Sequence, residues 1–214
     1  AAEPFYHFYQ LQSRYQDGKE SFELARQELD QRQQRKSTPS MSRALMRMLA
    51  RAGAFCHFLC EYDLAADHLR RGLDLAGVLD DQTEAAFVHN FLGQLAVWKG
   101  DRAGAKHHLL QSLTISQEIG DRSGAANALE KLANLSLATF GEYAESKRLA
   151  AESLAISRQL GRPDWIAYAL DTLGFVTFCL GEYEASEAYY RESLTLFEQS
   201  GDQYGVAMAQ GGVA

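Results

Sequence analysis

One short pattern returns along the whole chain at nearly constant spacing, and it constrains the fold more than any single residue. It consists of an aromatic, two residues, a small residue, three residues and a bulky one. It reads Phe22-x-x-Ala25-x-x-x-Leu29, Tyr62-x-x-Ala65-x-x-x-Leu69, Tyr143-x-x-Ser146-x-x-x-Ala150 and Tyr183-x-x-Ser186-x-x-x-Tyr190, with Arg102-x-x-Ala105-x-x-x-Leu109 substituting Arg for the aromatic. In chain order the first members are 40, 40, 41 and 40 residues apart. A second marker, Gly53, Gly93, Ala133 and Gly174, keeps steps of 40, 40 and 41. A third closes the units as Ile119-Gly120-Asp121, Leu160-Gly161-Arg162 and Ser200-Gly201-Asp202. Such a period marks a stacked repeat, in which one unit cannot cover its apolar stripe and neighbours bury it. The one extra residue falls between Ala133 and Gly141 and is expected in the turn near Phe140.

Each unit reads as two helices. Phe87, Val88, Phe91, Leu92 and Leu95 follow helical spacing, and Asp81 with Glu84 fits a capping box at the start of that helix. Gly100-Asp101 ends it and a second helix follows to about Glu118. Equivalent pairs are predicted over 42–59 with 62–78, 122–139 with 142–159, and 163–180 with 183–199. Pro163 falls at a helix start and Pro39 in the linker Ser37-Thr38-Pro39-Ser40, where a missing amide donor does no harm. The fold class expected is all-α: a right-handed α-solenoid of antiparallel helical hairpins. Its units would be a degenerate hairpin over 1–38, repeats over 41–79, 80–119, 121–160 and 161–200, and a broken first helix over 201–214. Small residues explain the recurrence. Gly or Ala in the middle of the first helix, and Ala or Ser in the second, let the helices of a hairpin approach, while the aromatic fills the wedge between hairpins.

Composition narrows the function. Lys and Arg number 21 against 28 Asp and Glu, a net charge of −7, which argues against a nucleic-acid partner recognised through bulk charge. No apolar stretch approaches the roughly 18 residues that span a bilayer. The beginning, Ala1-Ala2-Glu3-Pro4-Phe5, shows no secretory signal and no Met. Three cysteines, Cys56, Cys60 and Cys179, make a disulfide framework improbable and a cytoplasmic setting expected. Neither a phosphate-binding Gly-x-x-x-x-Gly-Lys-Ser/Thr loop, nor a nucleophile elbow, nor a His-Glu-x-x-His helix occurs, so no enzyme and no cofactor are expected.

The set Leu92-Gly93, Gly100, Ala105, Leu109 and Leu173-Gly174, Gly181-Glu182-Tyr183, Ser186, Tyr190 resembles the tetratricopeptide repeat. Its period is that of the longer variant found in sensor or interaction arms of bacterial ATP-binding signalling regulators and in animal cell-polarity adaptors. The first unit departs from the pattern at Gln10 to Ser13, where a Leu-Gly pair would stand. The resemblance implies a concave groove lined by first helices that takes a peptide or partner segment. Carried over position by position, the groove residues are Arg47 and His57 with Ala50 and Ala54, then Phe87, Asn90 and Gln94 with Val97. Next come Asn127, Glu130 and Asn134 with Leu137, then Tyr168, Asp171 and Phe175 with Phe178. Asn and Gln suit an extended backbone, since each carries donors and acceptors. Glu130 and Asp171 would favour a basic ligand residue. Arg47 is the lone base among these positions, so a clamp for a terminal carboxylate is not expected. The competing reading makes all of them a solvated face plus packing between repeats.

Other clusters read as structural. Cys56-His57-x-x-Cys60 with His68 has zinc-ligand chemistry, yet small buried thiols explain it better. His107-His108 reads as surface, and Gly100-Asp101-Arg102-Ala103-Gly104 and Gly120-Asp121-Arg122-Ser123-Gly124 as junctions, not phosphate loops. The function expected is a non-catalytic interaction or sensor module, a fragment of a larger bacterial signalling or transcriptional regulator. Its partner would be a protein or peptide segment, another domain of the same chain included, with no nucleic acid and no membrane. A free-standing adaptor and a receptor for a small ligand or peptide pheromone are the alternatives.

Overall fold

The computed structural model describes residues 2–11, 14–35 and 38–213, and every described element is helical. Of the degenerate first unit, Gln12 and Ser13 lie outside the described residues, as does Ser37 of the proline linker. The chain forms two compact units, Ala1–Ile115 and Ser116–Ala214. The first holds α1 (Ala2–Leu11), α2 (Tyr15–Arg35), α3 (Pro39–Phe58), α4 (Tyr62–Leu79) and α5 (Gln82–Trp98), with α6 (Arg102–Glu118) ending just past its boundary. The second holds α7 (Arg122–Leu135), α8 (Tyr143–Leu160), α9 (Pro163–Cys179), α10 (Tyr183–Ser200) and α11 (Gln203–Val213). Within each unit consecutive helices pack as hairpins, and first helices also meet, α3 on α5 and α9 on both α7 and α11. This is the all-α solenoid architecture.

Local chemistry sets the helix boundaries. Thr38 caps α3 ahead of Pro39. Asp81, Asp101, Asp121 and Asp202 each accept the backbone N–H three residues on, satisfying a donor that the first turn leaves without a partner. The Gly-Asp junctions are therefore a stop and a start. Gly100 and Gly120 hold φ of +73° and +71° at helix ends, while the Gly104 and Gly124 amides are already taken by Asp101 and Asp121. At Asp81 only half the expected capping box forms, because the Glu84 carboxylate turns to Arg51 instead.

The small residues sit where helices touch. A Cβ on Gly53 would lie 2.7 Å from Leu69 Cγ, one on Gly93 2.6 Å from Leu109 Cγ, and one on Gly174 2.9 Å from the Tyr190 ring. Ala65, Ala105 and Ser146 are fully buried on the second helices. A ladder absent from the sequence reading reinforces this contact. Ser112, Ser153 and Ser193 each donate to a first-helix carbonyl, those of Ala86, Ala126 and Ala167, at 2.8–2.9 Å. The wedge role of the aromatics holds only early in the chain. Phe22 is buried and Tyr62 stacks on Trp98, whereas Tyr143 and Tyr183 are exposed.

The extra residue falls between Ala133 and Gly141 as expected, but inside the helix and not in the turn after it. After Leu135 the helix continues through Ser136–Phe140 as a π-turn, in which the Gly141 N–H reaches Ser136 O. A π-turn holds one more residue than an α-turn over the same rise, so the insertion is absorbed inside the helix. Gly141 and Gly181 then resume the spacing of 40.

Candidate functional site

The first helices carry the residues expected to meet a partner, and the two units present them separately. In unit 1, Arg51 is 4% exposed and forks onto Glu84, with Nη1 2.7 Å from Oε2 and Nη2 3.0 Å from Oε1. It also donates to Glu3 of α1, and its guanidinium lies 3.8 Å over the Phe87 ring. Arg47 is exposed, 3.6 Å from the same Glu84 carboxylate. With Ser40, Arg43 and Ala44 it lines an open hollow of about 330 Å³. So Phe87 is half-covered by a cation. Asn90 is buried and accepts from the Gln94 amide at 2.7 Å. His57 is packed between the rings of Phe58, Tyr62 and Phe91, which makes it core and not groove lining.

Arg51 and Glu84 were missed by position-by-position reasoning. Four residues from Arg47, Arg51 shares its helix face, and that spacing was the available signal. Arg47 remains the lone base among the carried-over positions, and beside it on α3 stands a second guanidinium, Arg51, already paired with carboxylates.

In unit 2, the Asn134 amide donates to Glu130, and Thr172 Oγ1 donates to Asn134 Oδ1 at 3.1 Å, tying α9 to α7. Lys131 sits 2.7 Å from the other oxygen of Glu130. Asn127 is half-buried, its Oδ1 without a hydrogen bond. The Tyr168 hydroxyl donates to Asp202 at 2.7 Å and its ring meets Phe197, so this side chain braces α9. Asp171 is buried, and burial together with the Glu130 carboxylate pushes its carboxyl up to about 6. Phe175 and Phe178 are exposed on α9, at 47% and 56%.

The remaining clusters resolve as follows. Cys56 is buried, its thiol pushed up to about 12 chiefly by burial, while Cys60 is exposed. His68 is buried with Nε2 against the Glu23 carboxylate. His107 is exposed as expected, but His108 is half-buried, its Nδ1 2.9 Å from Nδ1 of His89. Among the described residues no helix is long and apolar enough to cross a membrane.

Stacked hairpins with close glycine contacts define an α-helical repeat protein. The tetratricopeptide-repeat family model matches residues 166–200, covering α9 and α10. Over 133 residues, 62% of this chain, the sequence is 30% identical to "Regulatory protein AfsR" of Streptomyces griseus, and it spans 12% of that protein's length. Among solved structures it is similar to BtubC (BKLC) from P. vanneervenii, with a TM-score of 0.69 at 14% identity over 91% of this chain and 87% of that one. It is also similar to the MamA protein, with a TM-score of 0.54 at 13% identity over 87% and 96%. Both likenesses are of fold.

Proposed function

We propose that this chain is the non-catalytic interaction arm of a larger bacterial regulator, working in the cytoplasm, and that its first-helix faces hold an extended partner segment. The observation that carries this is the face formed by α7 and α9. Amide and hydroxyl groups of Asn134 and Thr172 are held in place there by a defined bonding pattern. Phe175 and Phe178 stand exposed on the same side of α9. Fixed polar groups next to exposed rings suit a polypeptide, whose backbone needs donors and acceptors while its side chains need apolar surface. Similarity to a protein named as regulatory, of which this chain spans a small part, supports the place in a larger regulator. Three free thiols support a reducing compartment.

The test is binding of fluorescent peptide pools, followed by anisotropy. Asn134→Ala and Phe175→Ala should each weaken binding by about tenfold, the equivalent of roughly 1.4 kcal/mol. Val78→Ala, at an 83% exposed site on α4, should leave it unchanged. Equal binding by all three variants would remove this face as the site.

A further inference from the structure

The first-helix faces of α5 and α7 share a small bonding device of which α9 keeps only the acceptor. In α5 the Gln94 amide donates to the Asn90 side chain four residues earlier, and in α7 the Asn134 amide donates to Glu130. The corresponding pair in α9 is Asp171 and Phe175. A phenyl ring donates no hydrogen bond, so the acceptor has lost its intrahelical partner. Asp171 Oδ1 is buried without a hydrogen bond, in a residue only 9% exposed. Thr172 Oγ1 and the Asn134 amide are both engaged within the α7–α9 contact.

Among the described residues no cation pairs with this carboxylate. The ionisable groups that act on it or feel it are Glu130 of α7, itself paired with Lys131, and the Tyr190 phenol of α10, which burial, with Asp171 second, pushes up to about 12. Near neutral pH the Asp171 carboxyl is therefore mostly ionised, buried and unpaired, a state that burial strongly disfavours unless a counter-charge arrives. The exposed Phe175 ring lies one helical turn away on the same face.

We propose that the α7–α9 face receives a Lys or Arg side chain of the partner segment, its cationic head held by Asp171 beside Glu130, with a neighbouring apolar side chain on Phe175. This rests on the groove reading given above and adds the charge of the residue it selects. A neutral or acidic side chain at that point leaves Asp171 unpaired.

The experiment uses nonapeptide pools, random except for a central Lys, Arg, norleucine or Glu, titrated against the whole chain and its Asp171→Asn variant near pH 7.5. The Lys and Arg pools should bind at least about tenfold more tightly than the norleucine pool, with the Glu pool weakest. Asp171→Asn should abolish that preference. Equal binding of the Lys and norleucine pools, or a preference that survives in Asp171→Asn, overturns the proposal and leaves the groove reading standing. Binding of no pool overturns both. Without peptide, Asp171→Asn should melt at a higher temperature than the parent chain, which also shows that it folds. A lower melting temperature would mean that the carboxylate serves the fold, and would overturn the proposal too.

Discussion

The first-helix faces of residues 1–115 and 116–214 bury charge in opposite ways. In the first, Arg51 is nearly inaccessible, but two carboxylates share it and an aromatic ring covers it. In the second, Asp171 is nearly as buried and has neither a cation nor a hydrogen bond on Oδ1. A charge-paired buried network resists change, because removing any member leaves the others without compensation. An incomplete one gains when its missing member arrives. The two faces share a repeat and differ in this respect, so a shared fold does not imply a shared binding role.

The largest expected effect comes from breaking the charge-paired network around Arg51. Arg51→Met would leave Glu84, 5% exposed at its side chain, buried without its main cation. Losing one partner of a buried pair costs on the order of 3–5 kcal/mol. Arg47, already 3.6 Å from the same carboxylate, should hold the loss near the lower end of that range. Urea unfolding measures it, and the double variant with Glu84→Gln should recover most of the loss. A cost for Arg51→Met below about 1 kcal/mol, typical of an exposed pair, would erase the contrast drawn between the faces.

Acid should separate the two regions by sign. The Asp171 carboxyl, pushed up to about 6 in the fold, compares with about 3.9 for a free aspartate. The folded state therefore holds this proton more tightly than the unfolded chain does. Its contribution to stability is fully present below about pH 4 and is lost as pH rises through about 6. Asp171→Asn should flatten that limb and add on the order of 2 kcal/mol above it. His89 of α5 behaves in the reverse sense. Burial, with His108 and His107 nearby, pushes it down to about 4, so its contribution is present above the free value of about 6.5 and lost as pH falls toward 4. Amide exchange resolved by residue reads both limbs. Parallel weakening of both regions on acidification would contradict this assignment of signs.

The fold was legible because repetition multiplies weak signals. Gly53, Gly93 and Gly174 mean little singly, yet their spacing marks them as close-contact sites, and each does face the second helix of its own hairpin. The Asp residues after Gly100 and Gly120 mark the helix starts in the same way. What stayed hidden depends on partners distant in sequence or on backbone geometry. Glu84 has the spacing of a capping residue, and only the approach of α3 diverts it to Arg51. The serines at 112, 153 and 193 keep the period, but their carbonyl partners lie 26 or 27 residues earlier. The π-turn at Ser136–Phe140 takes up the inserted residue, and no motif in Ser-Leu-Ala-Thr-Phe announces it. At the candidate site, sequence alone placed Asp171 and Phe175 on one face. Comparison with Asn90–Gln94 and Glu130–Asn134 shows that the pair lacks a donor.

The smallest expected effect tests whether the regions also differ in backbone strain. First helices end in a left-handed residue at Gly100, Gly141 and Gly181, with φ between 62° and 78°, whereas α3 is followed there by Cys60 at φ 61°. A side chain in this conformation costs roughly 1–2 kcal/mol, against which glycine gives back about 0.5–1 kcal/mol through its freer unfolded chain. Cys60→Gly should therefore stabilise by roughly 0.5–1 kcal/mol. The thiol is exposed, so no core contact is lost, though its bond with the Tyr62 phenol trims the gain. The reciprocal change, Gly181→Ala, should cost about 1 kcal/mol from conformation alone, because nothing lies within 4 Å of the added Cβ. Paired thermal melts of the two variants read the effects against the same parent. Cys60→Gly melting lower than the parent would mean that the Tyr62 contact outweighs the strain, making Cys60 a fixed part of that turn.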